Sequence, residues 1–594
     1  MTSTPTSADL NQLMREAEAH YVARRYVDAR PLIERILRAA PGHPAVLHLY
    51  GLVLSGMGDH KSARQALEAA RSALPSDPQI ANNLGNLLRK MDEPEAALAA
   101  YGAAAAADPG FALARLHRAM MLDELGRYDE ARDELAALGR LAPPNADMLT
   151  AYASVERNSG NLRAAAARLD EALALDPAHM VARRGRARLA ADLGDADAAD
   201  RYRRALAADP DERALLIGYV DVAETAEERR DTLDRIGTLL SADPAWHEGH
   251  RALSAAYWEQ GARDAFAATY ETAVAIRPGD ARLWRDYAEL LGKVDRFAAA
   301  ADVCIRAKAA TGDPAFDAAA FGYRSASGDV DEAETLLARL PAGLLQPVAL
   351  AKHRLRQRAA TAAEPLLAAA TEAAPDDIEA WALRGIAWQL LDDPRFHWLN
   401  GQEGLVRVDE LPLSTAEIIA IAARLRALHA RSTVRIGQSV RGGTQTMGNL
   451  FDRAEPEIVL LRDAIAAGVD RYRNAMPPSD STHPVLKHRD SRLGFAGSWS
   501  IRLTEGGFHV QHMHPKGILS AASYWAVPPP VAGDPQAGWL EIGGTPAYLG
   551  LDLPPMHHIE PRPGRLVLFP STLHHGTRPF PAGERISVAF DVVA

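Results

Sequence analysis

Cysteine is almost absent: Cys304 stands alone in 594 residues. No intramolecular disulfide and no thiolate metal cluster is therefore expected. Lysine is scarce as well, with seven residues, so arginine carries nearly all the positive charge. A net charge of -11 and a pI near 6.0 do not provide the basic face of a nucleic-acid binder. No run approaches the length of an apolar membrane span, and the first thirty residues lack the apolar centre of a signal peptide. The expectation is a soluble, reducing, cytoplasmic protein with neither nucleic acid nor membrane as partner. Length alone suggests about three or four domains, a number that repeats would lower. Residues 1–8 show no pattern and are expected to form a flexible N-terminus.

What the chain does have is a period. Pro41, Pro75, Pro109, Pro143, Pro177, Pro210, Pro244 and Pro278 recur at steps of 34 residues, with one step of 33. Ala63, Ala97, Ala131 and Ala165 each lie 12 residues before one of these prolines, and Gly51, Gly85, Ala119 and Ala153 lie 24 before. Between these anchors, apolar residues fall at helical spacing. Small residues where two helices touch, with Pro after the second, resemble the tetratricopeptide repeat. Such units bury their apolar faces only by stacking into a superhelix with a concave groove. An all-α solenoid is expected over residues 9–390, degenerate after about 280. Its groove suits a peptide or protein, although a spacer or an oligomerisation surface would show the same pattern. Solenoid ends and exposed strand edges permit a homodimer.

From about residue 391 the pattern changes. "RFHWLNGQEGLVRVDELP" alternates like strands, and "STAEIIAIAARLRALHARS" reads as a helix opened by a Ser-x-x-Glu capping box. A Gly/Thr-rich loop, Arg441–Thr446, and a long amphipathic helix follow. Short strands then run to the end, separated by turns that include Gly506-Gly507, and suggest a β-sandwich or jelly roll. Nine of the 20 histidines lie between His483 and the C-terminus. His512 and His514 share a face if their segment is a strand, and His575 follows "LVLFPSTLHH". Imidazole suits several transition metals, so ligand type alone does not choose among them. His557-His558 reads as a solvent-facing loop, and Arg502 and Gln511 are candidates for a pocket wall.

"GSWSIRLTEGGFHVQHMHPKGILSAASYWAVPPP", "GWLEIG" and "PRPGRLVLFPSTLHHGTRPFPAGERISVAFD" resemble the Fe(II)/2-oxoglutarate-dependent oxygenases found fused to tetratricopeptide arrays. The resemblance implies a double-stranded β-helix (jelly-roll) domain with flanking helices over residues 391–594. It also implies Fe(II) held by His512, His514 and His575, with 2-oxoglutarate as cosubstrate and O2 as oxidant. Arg585 would hold the cosubstrate's distal carboxylate with Ser587 beside it, and Ser520 and Tyr524 are further candidates to bind it. The usual ligand set of that family has a carboxylate where His514 stands. His514 is therefore either a ligand or a residue beside the ligand set, and Glu541 is an alternative carboxylate.

The reading is an Fe(II)- and 2-oxoglutarate-dependent dioxygenase, a hydroxylase of a peptide or protein brought by the repeats. Its rivals are a three-histidine dioxygenase that uses no 2-oxoglutarate, and a repeat adaptor whose β-domain is not catalytic.

Overall fold

The computed structural model describes residues 7–431 and 436–594, so residues 1–6 of the expected flexible segment lie outside the described residues. The chain forms two compact units, Met1–Ala190 and Ala191–Ala594.

In the first unit, helix Pro44–Gly56 pairs with His60–Ala73, Pro78–Lys90 with Pro94–Ala107, and Ala112–Glu124 with Tyr128–Leu141. The small residues of the period sit where the helices meet. Ala63, Ala97, Ala131 and Ala165 are all at 0% exposure. A Cβ on Gly51 would stand 2.6 Å from the Leu67 side chain, and one on Gly85 would stand 2.5 Å from the Tyr101 ring. Turns are capped locally, as where the Asp77 carboxylate accepts from the backbone N–H groups of Gln79 and Ile80. Neighbouring repeats are tied by side chains 35 residues apart: His48 bonds Asn83, and Asn82 bonds His117, each pair at 2.8 Å.

Helix pairs continue in the second unit. Ala281–Gly292, Phe297–Thr311 and Ala315–Ala326 pack in succession, as do Pro347–Arg356, Ala360–Ala373 and Ile378–Leu390. Between these two groups lies a short helix, Val330–Leu337.

The C-terminal part is one curled antiparallel sheet. Its strands are β1 Arg407–Glu410, β2 Val440–Gln445, β3 Gly494–His512, β4 Leu519–Ala526, β5 Leu540–Ile542, β6 His557–Ile559, β7 Arg565–Pro570, β8 His575–Thr577 and β9 Arg585–Val593. The order is β1-β7-β4-β9-β3-β8-β5-β6, with β2 also on β3. Strand β3 makes the curl, because β9 pairs with its first half and β8 with its last residues. The outer face of the broad part carries Leu519, Ala521, Ile586, Val588 and Phe590. These pack on helices Thr415–Leu428 and Pro456–Ala475 through Ile421, Leu425, Leu461 and Ile465. The first of these helices carries the expected capping box, formed by Ser414 and Glu417.

Four local expectations change. Only 407–410 of the alternating stretch is strand; His397–Gly401 is a π-helical turn whose Trp398 packs beside Trp381 and Trp388. The Gly/Thr-rich segment is not a loop but strand β2. Its glycine is needed because a Cβ on Gly443 would stand 2.4 Å from the Arg502 carbonyl. Gly506-Gly507 does not break the chain into two strands. Gly506, at φ +72, bends β3 in place while its N–H bonds the Phe580 carbonyl at 2.8 Å. His557 and His558 belong to the short strand β6, which pairs with β5.

Candidate metal centre

The end of β3 is irregular, and that irregularity assembles the site. His509 pairs with Thr577 and His512 with His575, so three steps on β3 face two on β8. The bulge turns His509 and His512 to one side, with ring centroids 5.7 Å apart and planes 21° apart. His575 opens β8 directly across from His512, their centroids 4.3 Å apart. His514 lies beyond the end of the strand, yet its ring comes to 5.1 Å from that of His512 and 5.0 Å from that of His575. One ring nitrogen from each of His512, His514 and His575 falls within 4.8 Å of the others.

Hydrogen bonding sets which nitrogens face each other. Nδ1 of His512 has the Val510 carbonyl as acceptor at 2.8 Å, and Nδ1 of His575 has the Leu573 carbonyl at 3.4 Å. Nδ1 of His514 has the Asp591 carboxylate at 2.5 Å. A proton on each Nδ1 leaves a lone pair on each Nε2, the form in which imidazole binds a metal. The Nε2 atoms of His512 and His514 stand 3.2 Å apart. At that distance the two nitrogens share either a proton or a cation. Burial, reinforced by His514, draws His512 down to about 3. Burial first, then the neighbouring imidazoles, holds His575 well below its ordinary value. Both rings are thus neutral at neutral pH.

These rings line one side of a cavity of about 200 Å³, with Arg585, Ser587 and Trp499 also on its wall. Arg585, Ser587, Ala589 and Asp591 alternate along the inner side of β9. Arg585 is only 2% exposed, and its guanidinium carbon sits 4.9 Å from the centre of the Tyr524 ring. Its Nε is buried without an acceptor, and the Tyr524 hydroxyl is the neighbouring polar group that interacts with the guanidinium. Burial lowers the Arg585 pKa and raises that of Tyr524, each opposed by the other's charge. The donor set therefore fits both a divalent metal at the imidazoles and an anion at Arg585.

The candidates from the sequence fall into two groups. His512, His514 and His575 come together, and Arg585 and Ser587 line the same cavity. Ser520 does not reach the cavity wall, because its buried hydroxyl bonds that of Ser571 at 2.9 Å. Tyr524 lies against Arg585 rather than on the wall. Glu541 and Gln511 share the opposite face of the sheet, 3.3 Å apart, and Arg502 is held there by Glu584 at 2.9 Å. Among the residues that sequence reasoning passed over are His509, Ser439 and Asp591. Ser439 Oγ lies 3.0 Å from His509 Nδ1 and 3.3 Å from His512 Nε2. His509 sits at the wrong parity for a regular strand, so only the bulge reveals it. Asp591 reads as an ordinary residue of a C-terminal strand.

Residues 497–591 match a family described as "Putative 2OG-Fe(II) oxygenase". Residues 22–87, 82–146 and 151–213 match tetratricopeptide repeat families. No curated protein matches the chain. Among solved structures, a tetratricopeptide repeat protein from Parabacteroides merdae is 15% identical over 47% of this chain and 97% of its own, with a TM-score of 0.33. YrrB, described as a TPR protein with an unusual peptide-binding site, is 24% identical over 29% of this chain and 88% of its own, at a TM-score of 0.26. PilW, a type IV pilus biogenesis factor, is 19% identical over 36% of this chain and 98% of its own, at 0.33. Likeness at these scores says nothing of what this chain binds.

Proposed function

This chain joins tetratricopeptide repeats to a 2OG-Fe(II) oxygenase-type domain, and from that premise we propose that it is an Fe(II)- and 2-oxoglutarate-dependent dioxygenase, a hydroxylase of a peptide or protein recruited by the repeats. One observation carries the reading. Arg585, a buried cation with no carboxylate partner among the described residues, shares a cavity with three convergent imidazoles. A cation so placed is costly unless an anion joins it.

His512, His514 and His575 would hold the iron, through a ligand type that suits it. Bound there with the oxo acid and O2, Fe(II) supplies the oxidising chemistry that puts oxygen into a substrate C–H bond, with succinate and CO2 as co-products. Arg585 binds the distal carboxylate through its planar fork, and Ser587, next along the same strand face, adds a hydroxyl donor. Tyr524 keeps the guanidinium in place from behind. Ala522, Leu540 and Ala589 give the cavity apolar wall, which keeps water from the reacting groups.

Cavity size bears on the substrate. About 200 Å³ is less than the roughly 300–1,000 Å³ of pockets that enclose drug-sized molecules. Once the cosubstrate is seated, only a small group enters, as a single side chain of a larger partner held elsewhere would. The repeats, which we place at residues 9–390, supply that remote binding; residues 391–594 form the oxygenase domain. A reducing, cytoplasmic setting keeps such an iron site ferrous, and no helix among the described residues is long and apolar enough to cross a membrane.

Incubation of the full chain with Fe(II), ascorbate, O2 and 2-oxoglutarate tests the proposal. Succinate release is expected, abolished by Arg585→Ala and raised by a true peptide substrate. Absence of succinate together with absence of cosubstrate binding contradicts it. The histidine at position 514 favours one rival, a three-histidine dioxygenase that needs no oxo acid; oxygen uptake indifferent to Arg585→Ala would select it.

A further inference from the structure

We propose that Asp591 is a positioning residue: it orients His514 toward the metal and supplies, from behind that ring, the negative charge that a carboxylate ligand would otherwise bring. The inference rests on the three-histidine site proposed above. It concerns how a site with no carboxylate ligand is completed.

The three imidazoles are not held alike. His512 and His575 each direct Nδ1 at the carbonyl two residues back, Val510 in β3 and Leu573 in the turn before β8, so the backbone leading into each ring fixes it. His514 lies past the end of β3 and has no such carbonyl. Its Nδ1 partner is the Asp591 carboxylate, from a different strand, and the Trp499 ring covers it at 5.4 Å.

Asp591 is itself built in. It is 9% exposed and stands on the inner face of β9, three alternations beyond Arg585. Across the sheet it is flanked by Gly497 on β3 and Ser520 on β4. A Cβ on Gly517 would stand 3.1 Å from that of Asp591, so the backbone closes over it. No Arg or Lys among the described residues pairs with it; the one charge-bearing contact of this buried carboxylate is the His514 ring. A nearly buried carboxylate whose one charge-bearing contact is an imidazole calls for positive charge on or beyond that ring. A divalent cation on the far nitrogen of that ring compensates it. Conversely, three neutral ligands leave a metal's double charge unreduced, and a carboxylate hydrogen-bonded to a ligand imidazole raises that ligand's basicity. Strand β9 thus serves both ends of the site, with Arg585 for the cosubstrate anion and Asp591 for the ligand that stands where a carboxylate is commonest.

The test uses the full chain without oxygen, titrated with Co(II) alone. Asp591→Asn keeps an acceptor oxygen near His514 but removes the charge. It is expected to weaken Co(II) binding by about 10–100-fold and to shift the visible bands of the saturated site. Asp591→Glu, which restores charge, is expected to recover part of the affinity. Thermal unfolding of the metal-free variants checks that they are folded; should the Asn variant fail there, the affinity and bands of the Glu variant are compared with wild type instead. Wild type that binds Co(II), with Asp591→Asn unchanged in affinity and spectrum, overturns this inference and leaves the oxygenase reading intact. Wild type that binds no Co(II) overturns both.

Discussion

A guanidinium at 2% exposure without a carboxylate beside it sits in the structure at a cost. That cost separates function from stability at this position. Replacing Arg585 by Leu should raise the resistance of the metal-free, cosubstrate-free chain to urea by about 1–3 kcal/mol, or leave it unchanged. The same change should abolish 2-oxoglutarate binding. A urea titration beside a calorimetric binding measurement checks both signs. A loss of stability would mean that Arg585 is a structural residue. His429 offers a second residue-scale test. Its ring nitrogens bond Thr444 at 2.9 Å and Ser500 at 3.0 Å, and burial draws its pKa from 6.5 down to about 4. The unfolded chain therefore takes up a proton that the folded chain refuses. The resulting stability is fully present above pH 6.5 and is lost as pH falls from there toward about 4. At most about 3 kcal/mol is involved, by 1.36 kcal/mol per unit. His429→Gln should flatten this part of the pH dependence of the urea midpoint.

At the scale of elements, the repeat makes opposite demands on two glycines of adjacent helices. Gly85 faces the Tyr101 ring at 2.5 Å from its would-be Cβ, whereas Gly102 has only the Arg118 Nε at 3.8 Å. Gly102→Ala should stabilise by about 0.5–1 kcal/mol through helix propensity. Gly85→Ala should instead destabilise by about 1–3 kcal/mol because Tyr101, bonded to Asn86, must shift. Thermal melts of the two variants give the comparison. The contrast also explains why the array was legible in the sequence. Each repeat needs a small residue at the same helix crossing, so the constraint recurs and can be counted. Strand β2 has no such repetition. Its Arg-Gly-Gly-Thr run looks like a loop because the requirement for glycine comes from Arg502 on a neighbouring strand. The bulge that turns His509 inward is likewise a matter of pairing with β8, which periodicity within β3 does not reveal. His512, His514, His575 and Arg585 stand out in the sequence by spacing and residue type, and the structure brings the three imidazoles together with Arg585 on the same cavity wall. Ser520 cannot be placed from sequence, because a serine on a strand face looks the same whether it meets a ligand or bonds a neighbour such as Ser571.

For the molecule as a whole, the account divides labour between recruitment and chemistry. The sole thiol, Cys304, lies in the helical part, and burial pushes it up to about 12, which leaves it unreactive and the iron site the only redox chemistry proposed. A ligand that binds only the folded chain stabilises it by about 2.7 kcal/mol at a concentration one hundred times the dissociation constant. Anaerobic Fe(II) with 2-oxoglutarate should therefore raise the thermal unfolding temperature of the chain, and Arg585→Ala should lose the part due to 2-oxoglutarate. A chelator should reverse the shift. The most direct measurement is an anaerobic titration of the full chain with Fe(II) and then 2-oxoglutarate, followed by visible absorption. The account predicts a weak charge-transfer band that saturates at one equivalent of each and is lost in Arg585→Ala. Stoichiometric iron without the band, or no bound iron at all, would contradict it.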